Sequence, residues 1–151
     1  MKPTLDYPPV WLFAGIALAW LAAAIGPAPL EGTPATVLDA ASWGLIGAGL
    51  ALMVLAAVEF RRRRTTIIPH RVPDALVTGG VFRISRNPIY LADVLILAGV
   101  VLGWQAWLAL PLVPALGWVL QRRFIEPEEA RLRAAFGPEA AAWFARTRRW
   151  I

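Results

Sequence analysis

Cysteine is absent from the 151-residue sequence, and histidine occurs once. Disulfide bonds and thiolate metal sites are therefore excluded, and a single imidazole gives no basis for a metal centre. Charged residues are also scarce, at 17% of the chain against 58% hydrophobic residues. A soluble domain of this length could not bury so much apolar surface, so the composition indicates a membrane protein.

Basic residues are missing from every long apolar stretch, although the chain has fifteen of them. A net charge of +5 and a pI near 11.0 would suggest nucleic-acid binding in a soluble protein. Here the bases flank the apolar stretches, where they meet anionic lipid head groups. We therefore expect membrane lipids as partners and no nucleic acid.

The apolar stretches predict four membrane spans, at about residues 10–25, 42–60, 89–103 and 107–120. The last two come from one run, 89–120, which as a single helix of 32 residues would be about 48 Å long. Because the hydrocarbon core is only about 30 Å thick, this run must fold back. Its expected turn is Gly103–Trp107.

The bases orient the spans. Arg61–Arg64 follow the second span, and Arg122 and Arg123 follow the fourth. With four crossings all fifteen bases lie on the cytoplasmic side, whereas three crossings would place the C-terminal bases outside. We therefore expect an all-α integral membrane protein of one domain, residues 1–151, with both termini in the cytoplasm. The membrane expected is a bacterial inner membrane; the sequence does not determine the oligomeric state.

Two cytoplasmic segments, 65–90 and 121–151, carry the residues with chemical content. In the first, Gly79 and Gly80 let the backbone approach a ligand closely just before the run Arg86–Tyr90. In the second, Pro127 suits the first turn of an amphipathic helix that ends at Gly137–Pro138. A further helix is predicted over residues 139–146.

Most of these residues also have a purely structural explanation. Arg86 and Tyr90 suit anchors at the membrane interface, and Pro88 suits the start of a helix. Glu128 and Glu129, together with Glu126, suit the first turn of a helix because of its dipole. A functional interpretation of these acids requires a cationic ligand, such as a sulfonium or an ammonium group.

Asp93 lies about one turn inside the third span, where a buried acid is costly, so it is a functional candidate unless it snorkels or pairs with an arginine. The preferred explanation of Glu59 is an interfacial ion pair with the neighbouring bases. The preferred explanation of Arg61–Arg64 is a signal that sets the membrane topology. For His70 a hydrogen-bonding role in the loop is preferred over catalysis. Its position before the Arg86 segment keeps a catalytic role open.

Four segments occur in an order that is more specific than any one of them. They are Thr65–Pro69, Leu76–Arg83, Ser85–Leu91, and Pro127–Glu129 continuing through Phe136 and Gly137 to Arg149–Ile151. From about Thr65 to the C-terminus the chain resembles the isoprenylcysteine carboxyl methyltransferase and phospholipid methyltransferase family. Many relatives have His in place of Asn87, and often Gly in place of Ala92. Asn forms hydrogen bonds but does not act as a base at neutral pH.

The resemblance implies a membrane methyltransferase that uses S-adenosylmethionine, with a cofactor pocket formed by the cytoplasmic loop and the C-terminal helices. The cofactor-binding residues it implies are His70, Gly80, Val81, Phe82, Arg86, Asn87, Pro88, Tyr90, Glu128 and Glu129. The candidates for catalysis are Arg86, Glu129 and Asp93. Arg86 suits a carboxylate or phosphate, and the acids suit removal of a proton from an ammonium group.

The methyl acceptor and two alternatives stay open at this point. The acceptor expected is a lipophilic small molecule or a lipid, with either a carboxylate of the isoprenylcysteine type or an amine. One alternative is an NADPH-dependent enzyme similar to sterol reductases, which would be expected to have more bases near the 2′-phosphate and a longer transmembrane region. The other is a non-catalytic membrane binding module, which would bind ligand without methyl transfer.

Overall fold

The computed structural model describes residues 6–64 and 75–151, and these ranges contain helices and connecting segments but no strand. The helices of these ranges are α1 (Pro8–Ile25), α2 (Thr33–Arg62), α3 (Pro88–Gly103), α4 (Leu112–Leu120) and α5 (Glu126–Arg146). Short 3₁₀ turns occur at Gly80–Arg83 and Trp107–Ala109, and a π-helical turn at Gln121–Ile125 joins α4 to α5. The predicted all-α class is confirmed.

The first two helices show their apolar side chains on the outside. Both α1 and α2 are long and apolar enough to cross a membrane, while α3 is apolar but has only 16 residues. Phe13 is 66% exposed, Trp20 61% and Trp43 73%. A helix that presents large apolar side chains outward is suited to a lipid environment and not to water. The chain is accordingly a membrane protein.

Contacts between chain ends and connections show that successive helices run in alternating directions. Asp6, just before α1, forms an ion pair with Arg123, after α4, at 2.9 Å. Glu59, near the end of α2, lies against Gly79 in the segment that leads into α3. The start of α1, the end of α2, the start of α3 and the end of α4 therefore share one end of the bundle. We call it the basic end, because it carries Arg61–Arg64.

The opposite end is closed by one side-chain amide. Gln105, in the turn after α3, accepts a hydrogen bond from the Leu30 N–H at 2.6 Å and donates one to the Leu30 carbonyl at 3.1 Å. Its backbone has φ 49°, the left-handed conformation that reverses the chain. The turn predicted at Gly103–Trp107 is thus present, and Gln105 ties it to the connection between α1 and α2.

The α2–α3 interface is lined by small residues, which lets the two backbones approach closely. Ser42, Gly49 and Ala56 recur at every seventh position of α2 and are buried. A Cβ atom on Gly49 would lie 2.9 Å from the carbonyl oxygen of Ala92, and one on Gly99 would lie 2.8 Å from that of Ser42. This packing fixes α3, and with it the start of the candidate site, against α2.

The predicted spans agree with the helices to different degrees. Spans 10–25 and 89–103 match α1 and α3 to within two residues. Span 42–60 began too late, because α2 starts at Thr33, directly after Gly32 with φ 70° and with Pro34 in its first turn. Asp39 lies exposed on this helix. At 30 residues α2 is about 45 Å long, so it can extend beyond the hydrocarbon core.

The C-terminal half shows one correction and one confirmation. Span 107–120 was predicted as one helix, but α4 begins only at Leu112, because Pro111 has no N–H to continue a helix and lies at the N-cap. The two helices predicted on either side of Gly137–Pro138 are present. Gly137 has φ 47° and ψ −118°, which breaks α5 at this point.

Replacing Gly99 by alanine should destabilise the protein by about 1–3 kcal/mol, because the new methyl group would collide with the backbone of α2. Gly44→Ala is the matched control, since a Cβ atom there meets nothing within 4 Å. The measurement is thermal unfolding of the detergent-purified proteins. Equal melting temperatures for the two variants would contradict the close α2–α3 packing.

Candidate active site

The two segments singled out in the sequence meet at the basic end. The Tyr90 hydroxyl donates a hydrogen bond to Glu128 Oε2 at 3.0 Å. Arg86 Nη2 lies 3.2 Å from Glu129 Oε1, in an ion pair whose carboxylate is almost fully buried. Consecutive glutamates of α5 therefore hold the two ends of the Arg86–Tyr90 run.

Local structure explains how α3 starts at this position. Asn87 is the N-cap residue of α3, and Pro88 is its first residue, where no N–H is needed. The Asn87 N–H donates to Ser85 Oγ at 3.1 Å. The Asn87 side chain does not cap the helix; its amide donates to the Arg149 carbonyl at 2.9 Å.

The acids at the start of α5 do not face a free helix end. The π turn from Gln121 to Ile125 precedes α5, and the Glu126 N–H already donates to the Gln121 carbonyl. Attraction to unpaired N–H groups, which the helix-dipole explanation requires, is therefore reduced here. Partners across the fold account better for Glu128 and Glu129.

The C-terminal segment contacts Arg86 and Glu129, a pairing that the sequence interpretation did not foresee. The Arg148 carbonyl accepts a hydrogen bond from the Arg86 N–H at 3.0 Å. The Arg149 guanidinium donates to both oxygens of Glu129, at 3.1 Å and 2.8 Å. The available signal was the excess of arginines near the C-terminus, but nothing in their spacing pairs one of them with Glu129.

Arg86 is held in an unusual electrostatic environment. Burial lowers the pKa of Arg86, and the negative charge of Glu129 opposes that effect. Hydrogen bonding to Glu129 raises the pKa of Arg149. Arginine is so strongly basic that both side chains are cations at neutral pH. The Arg86 guanidinium lies 4.5 Å from the centre of the Phe144 ring. Its Nε atom is buried without a hydrogen-bond partner in the described part of the chain.

Two cavities adjoin at these residues. The first, which we call the α5 cleft, has a volume of about 40 Å³ and is lined by residues that include Glu129, Leu132, Trp143 and Phe144. The second, the α3 cavity, has a volume of about 340 Å³. Its lining includes Pro8, Pro9, Met53, Ile89, Tyr90 and Asp93. Their shared wall consists of Phe60, Phe82, Arg86, Asn87 and Glu128. Two cavities thus meet at Arg86.

Asp93 lies in the wall of the α3 cavity and is only 2% exposed. No residue in the ranges 6–64 and 75–151 donates a hydrogen bond to its carboxylate or forms an ion pair with it. The snorkelling and ion-pair explanations of Asp93 are therefore not supported by the described structure. A buried carboxylate without such partners is costly, and it marks the cavity as a candidate site for a cation.

Glu59 fills the space beside the glycine pair. A Cβ atom on Gly79 would collide with Glu59 Oε1, and one on Gly80, whose φ is +53°, would lie 2.9 Å from Oε2. Glu59 also forms ion pairs with Arg62 at 4.0 Å and Arg63 at 3.8 Å, as predicted. The glycines thus accommodate a buried carboxylate of α2.

The remaining residues from the sequence prediction divide into three groups. Phe82 lines both cavities, and its carbonyl accepts a hydrogen bond from the Trp143 indole at 3.1 Å. Gly80 and Val81 line neither of these two cavities, although Val81 is buried nearby in the same 3₁₀ turn. His70 lies outside the described residues.

Comparison with protein families identifies the family of the chain. A model of the phospholipid methyltransferase family matches residues 38–139, about two thirds of the chain. The chain belongs to this family. The match includes Arg86–Tyr90 and Glu128–Glu129, and it ends before Arg149. A search among curated proteins gave no match.

Membership in the family makes the protein one of the S-adenosylmethionine-dependent methyltransferases. It agrees with the family resemblance of the sequence and gives no support to the reductase alternative. A phospholipid methyltransferase needs a polar cofactor and a lipid acceptor to meet at one point.

Replacing Glu129 by glutamine should lower the free energy of unfolding by up to about 3 kcal/mol, because two arginines lose their shared carboxylate while Arg149 stays partly solvated. Glu139→Gln removes the same charge from an exposed position of α5 and serves as the control. Denaturant titration in detergent measures both changes. A Glu129→Gln variant as stable as the control would rule out a structural role for this carboxylate.

Proposed function

We propose that this protein transfers methyl groups from S-adenosylmethionine to the amine headgroup of a membrane phospholipid. The observation that carries the proposal is Asp93, a buried carboxylate in the wall of the α3 cavity with no partner among the described residues. Family membership supplies the reaction class, and this residue favours one type of acceptor.

The charges around the α3 cavity favour a cationic acceptor over a carboxylate. Asp93 and Glu128 both line the cavity, and Arg86 is the cation among its lining residues. Arg86 lies 3.2 Å from Glu129 and also lines the α5 cleft, where it is assigned to the cofactor below. A lipid ammonium group would be attracted by the acids, whereas an isoprenylcysteine carboxylate would be repelled by them.

An ammonium group must lose a proton before its nitrogen has a lone pair for attack. Asp93 is the described acid best placed to accept that proton, because it lies in the cavity and has no competing partner among the described residues. Proton removal by a positioned carboxylate is typical of general base catalysis. Asn87, in the shared wall, is suited to hydrogen bonding and not to this step.

The residues of the α5 cleft have the donors and acceptors that the cofactor requires. When bound, S-adenosylmethionine supplies an electrophilic methyl group on a sulfonium sulfur. Arg86, whose buried Nε lacks a partner among the described residues, suits the carboxylate of its amino-acid portion, and the carboxylate of Glu128 suits the amino group. At about 40 Å³ the cleft has room for only a few water molecules, so binding requires its walls to move apart.

The membrane topology fits this division of the site. We expect four crossings, with the basic end in the cytoplasm because of the positive-inside bias. A lipid acceptor would enter the α3 cavity sideways from the bilayer, past the α1 residues Pro8 and Pro9 and the α2 residue Met53. The polar cofactor would enter the α5 cleft from the cytoplasm.

Binding of the cofactor product tests the proposal first. Isothermal titration of the detergent-purified protein with S-adenosylhomocysteine should give a dissociation constant in the micromolar range, about −8 kcal/mol, and titration with NADPH should give no heat of binding. Methyl transfer is then measured with vesicles that contain phosphatidylethanolamine, against an isoprenylcysteine acceptor. Transfer to the carboxylate acceptor alone would refute the amine assignment.

Replacing Asp93 by asparagine should reduce the rate of methyl transfer to the amine by about 10²–10⁴-fold, the usual range for loss of a general base. Binding of S-adenosylhomocysteine should stay unchanged, because Asp93 does not line the α5 cleft. Asp39→Asn, at an exposed position of α2, is the control. An Asp93→Asn variant that retains the wild-type rate would exclude Asp93 as the base.

A further inference from the structure

Arg149 and Arg86 share one carboxylate unequally. Arg149 uses two donors, with Nε 3.1 Å from Glu129 Oε1 and Nη2 2.8 Å from Oε2. This is the two-pronged arrangement that gives arginine–carboxylate pairs their geometric specificity. Arg86 approaches only Oε1, through Nη2 at 3.2 Å. The carboxylate therefore lies beside both cations but directs its hydrogen bonding to Arg149.

The donors of Arg86 remain available as a result. Its guanidinium meets Glu129 through Nη2 alone, and its Nε is buried without a hydrogen-bond partner in the described part of the chain. Arg86 nevertheless has a fixed place. Its backbone N–H donates to Arg148, its guanidinium lies over Phe144, and its side chain is only 11% exposed. Arg86 thus lies in the wall of both cavities as an ordered cation with unused donors.

Loss of the Arg149 guanidinium would change this balance. Both oxygens of Glu129 would lose their hydrogen bonds, and the next cations are Arg86 at 3.2 Å and Arg133 at 4.0 Å. Arg133 is largely exposed, whereas Arg86 is buried beside the carboxylate. A buried carboxylate takes the nearest donors, so Arg86 would form the paired hydrogen bonds with Glu129 itself.

We infer that Arg149 is a positioning residue, which occupies Glu129 and so leaves the Arg86 guanidinium free to bind an anionic group of the ligand. The inference rests on the proposed function, in which that group is the carboxylate of the cofactor's amino-acid portion. It adds a residue outside the region matched by the family model. Arg149 does not touch the ligand in this arrangement; it acts through Glu129.

The test compares two ligands that differ in the amino-acid portion, which carries this carboxylate. S-adenosylhomocysteine has the amino-acid portion, and 5′-methylthioadenosine lacks it. Arg149→Gln should weaken binding of S-adenosylhomocysteine by about 10- to 100-fold, the range for loss of a hydrogen bond to a charged group. Its affinity for 5′-methylthioadenosine should change less than about twofold, a difference within ordinary surface effects. Both are measured by isothermal titration of the full chain in detergent.

Further variants separate positioning from a structural role. Arg146→Gln, at the exposed end of α5, removes the same charge and should leave both affinities unchanged. Arg149→Lys keeps the charge but cannot form the two-pronged pair, so it should give an intermediate loss of S-adenosylhomocysteine affinity. The double variant Glu129→Gln/Arg149→Gln should regain affinity relative to Arg149→Gln alone, because the side chain that captures Arg86 loses its charge.

Three results would count against the inference or its foundation. An equal loss for both ligands would show that Arg149 only holds the fold together. An unchanged S-adenosylhomocysteine affinity in Arg149→Gln, with normal binding by the wild type, would overturn the inference alone. Absence of binding by the wild type would overturn the proposed function, on which the inference depends.

Discussion

A buried carboxylate in a largely apolar protein must be paired with cations, and Glu129 meets this requirement by drawing on three separate parts of the chain. Arg86 comes from the segment before α3, Arg149 from the C-terminal segment, and Glu129 itself from α5. Removal of Glu129 would take a shared partner from both arginines, whereas removal of one arginine would leave Glu129 paired with the other. The position of the Arg86–Tyr90 run, and hence the wall between the two cavities, follows from this pairing.

Close packing of α2 against α3 provides the second constraint. The small residues Gly49 and Gly99 bring the backbones together, so α3 cannot shift without a collision. The Ala92 carbonyl lies against Gly49 of α2. Asp93, the next residue, lines the α3 cavity. The same interface that stabilises the bundle therefore determines where a costly acid is buried. Glu59, beside the glycine pair, fixes the preceding segment in a similar way.

Much of the architecture could be predicted from local patterns. The spans at α1 and α3 follow from apolar runs of limited length, and the break at Gly137 follows from a glycine–proline pair. The start of α2 was mispredicted because Asp39 was assigned to the connection, although an acid is tolerated where a long helix extends beyond the hydrocarbon core. The start of α4 was mispredicted because interfacial tryptophans do not reveal where a 3₁₀ turn replaces the helix.

Sequence patterns were enough to predict a membrane protein, to single out the segments that meet in the candidate site and to reveal the resemblance to the methyltransferase family. These depend on composition, apolar length and the order of motifs, which are local properties. The pairing of Tyr90 with Glu128, and of Arg86 and Arg149 with Glu129, became visible only in the folded chain. Neighbouring residues of a helix point about 100° apart, so the partner of each glutamate depends on how α5 is rotated and on the path of the C-terminal segment. Linear spacing contains neither.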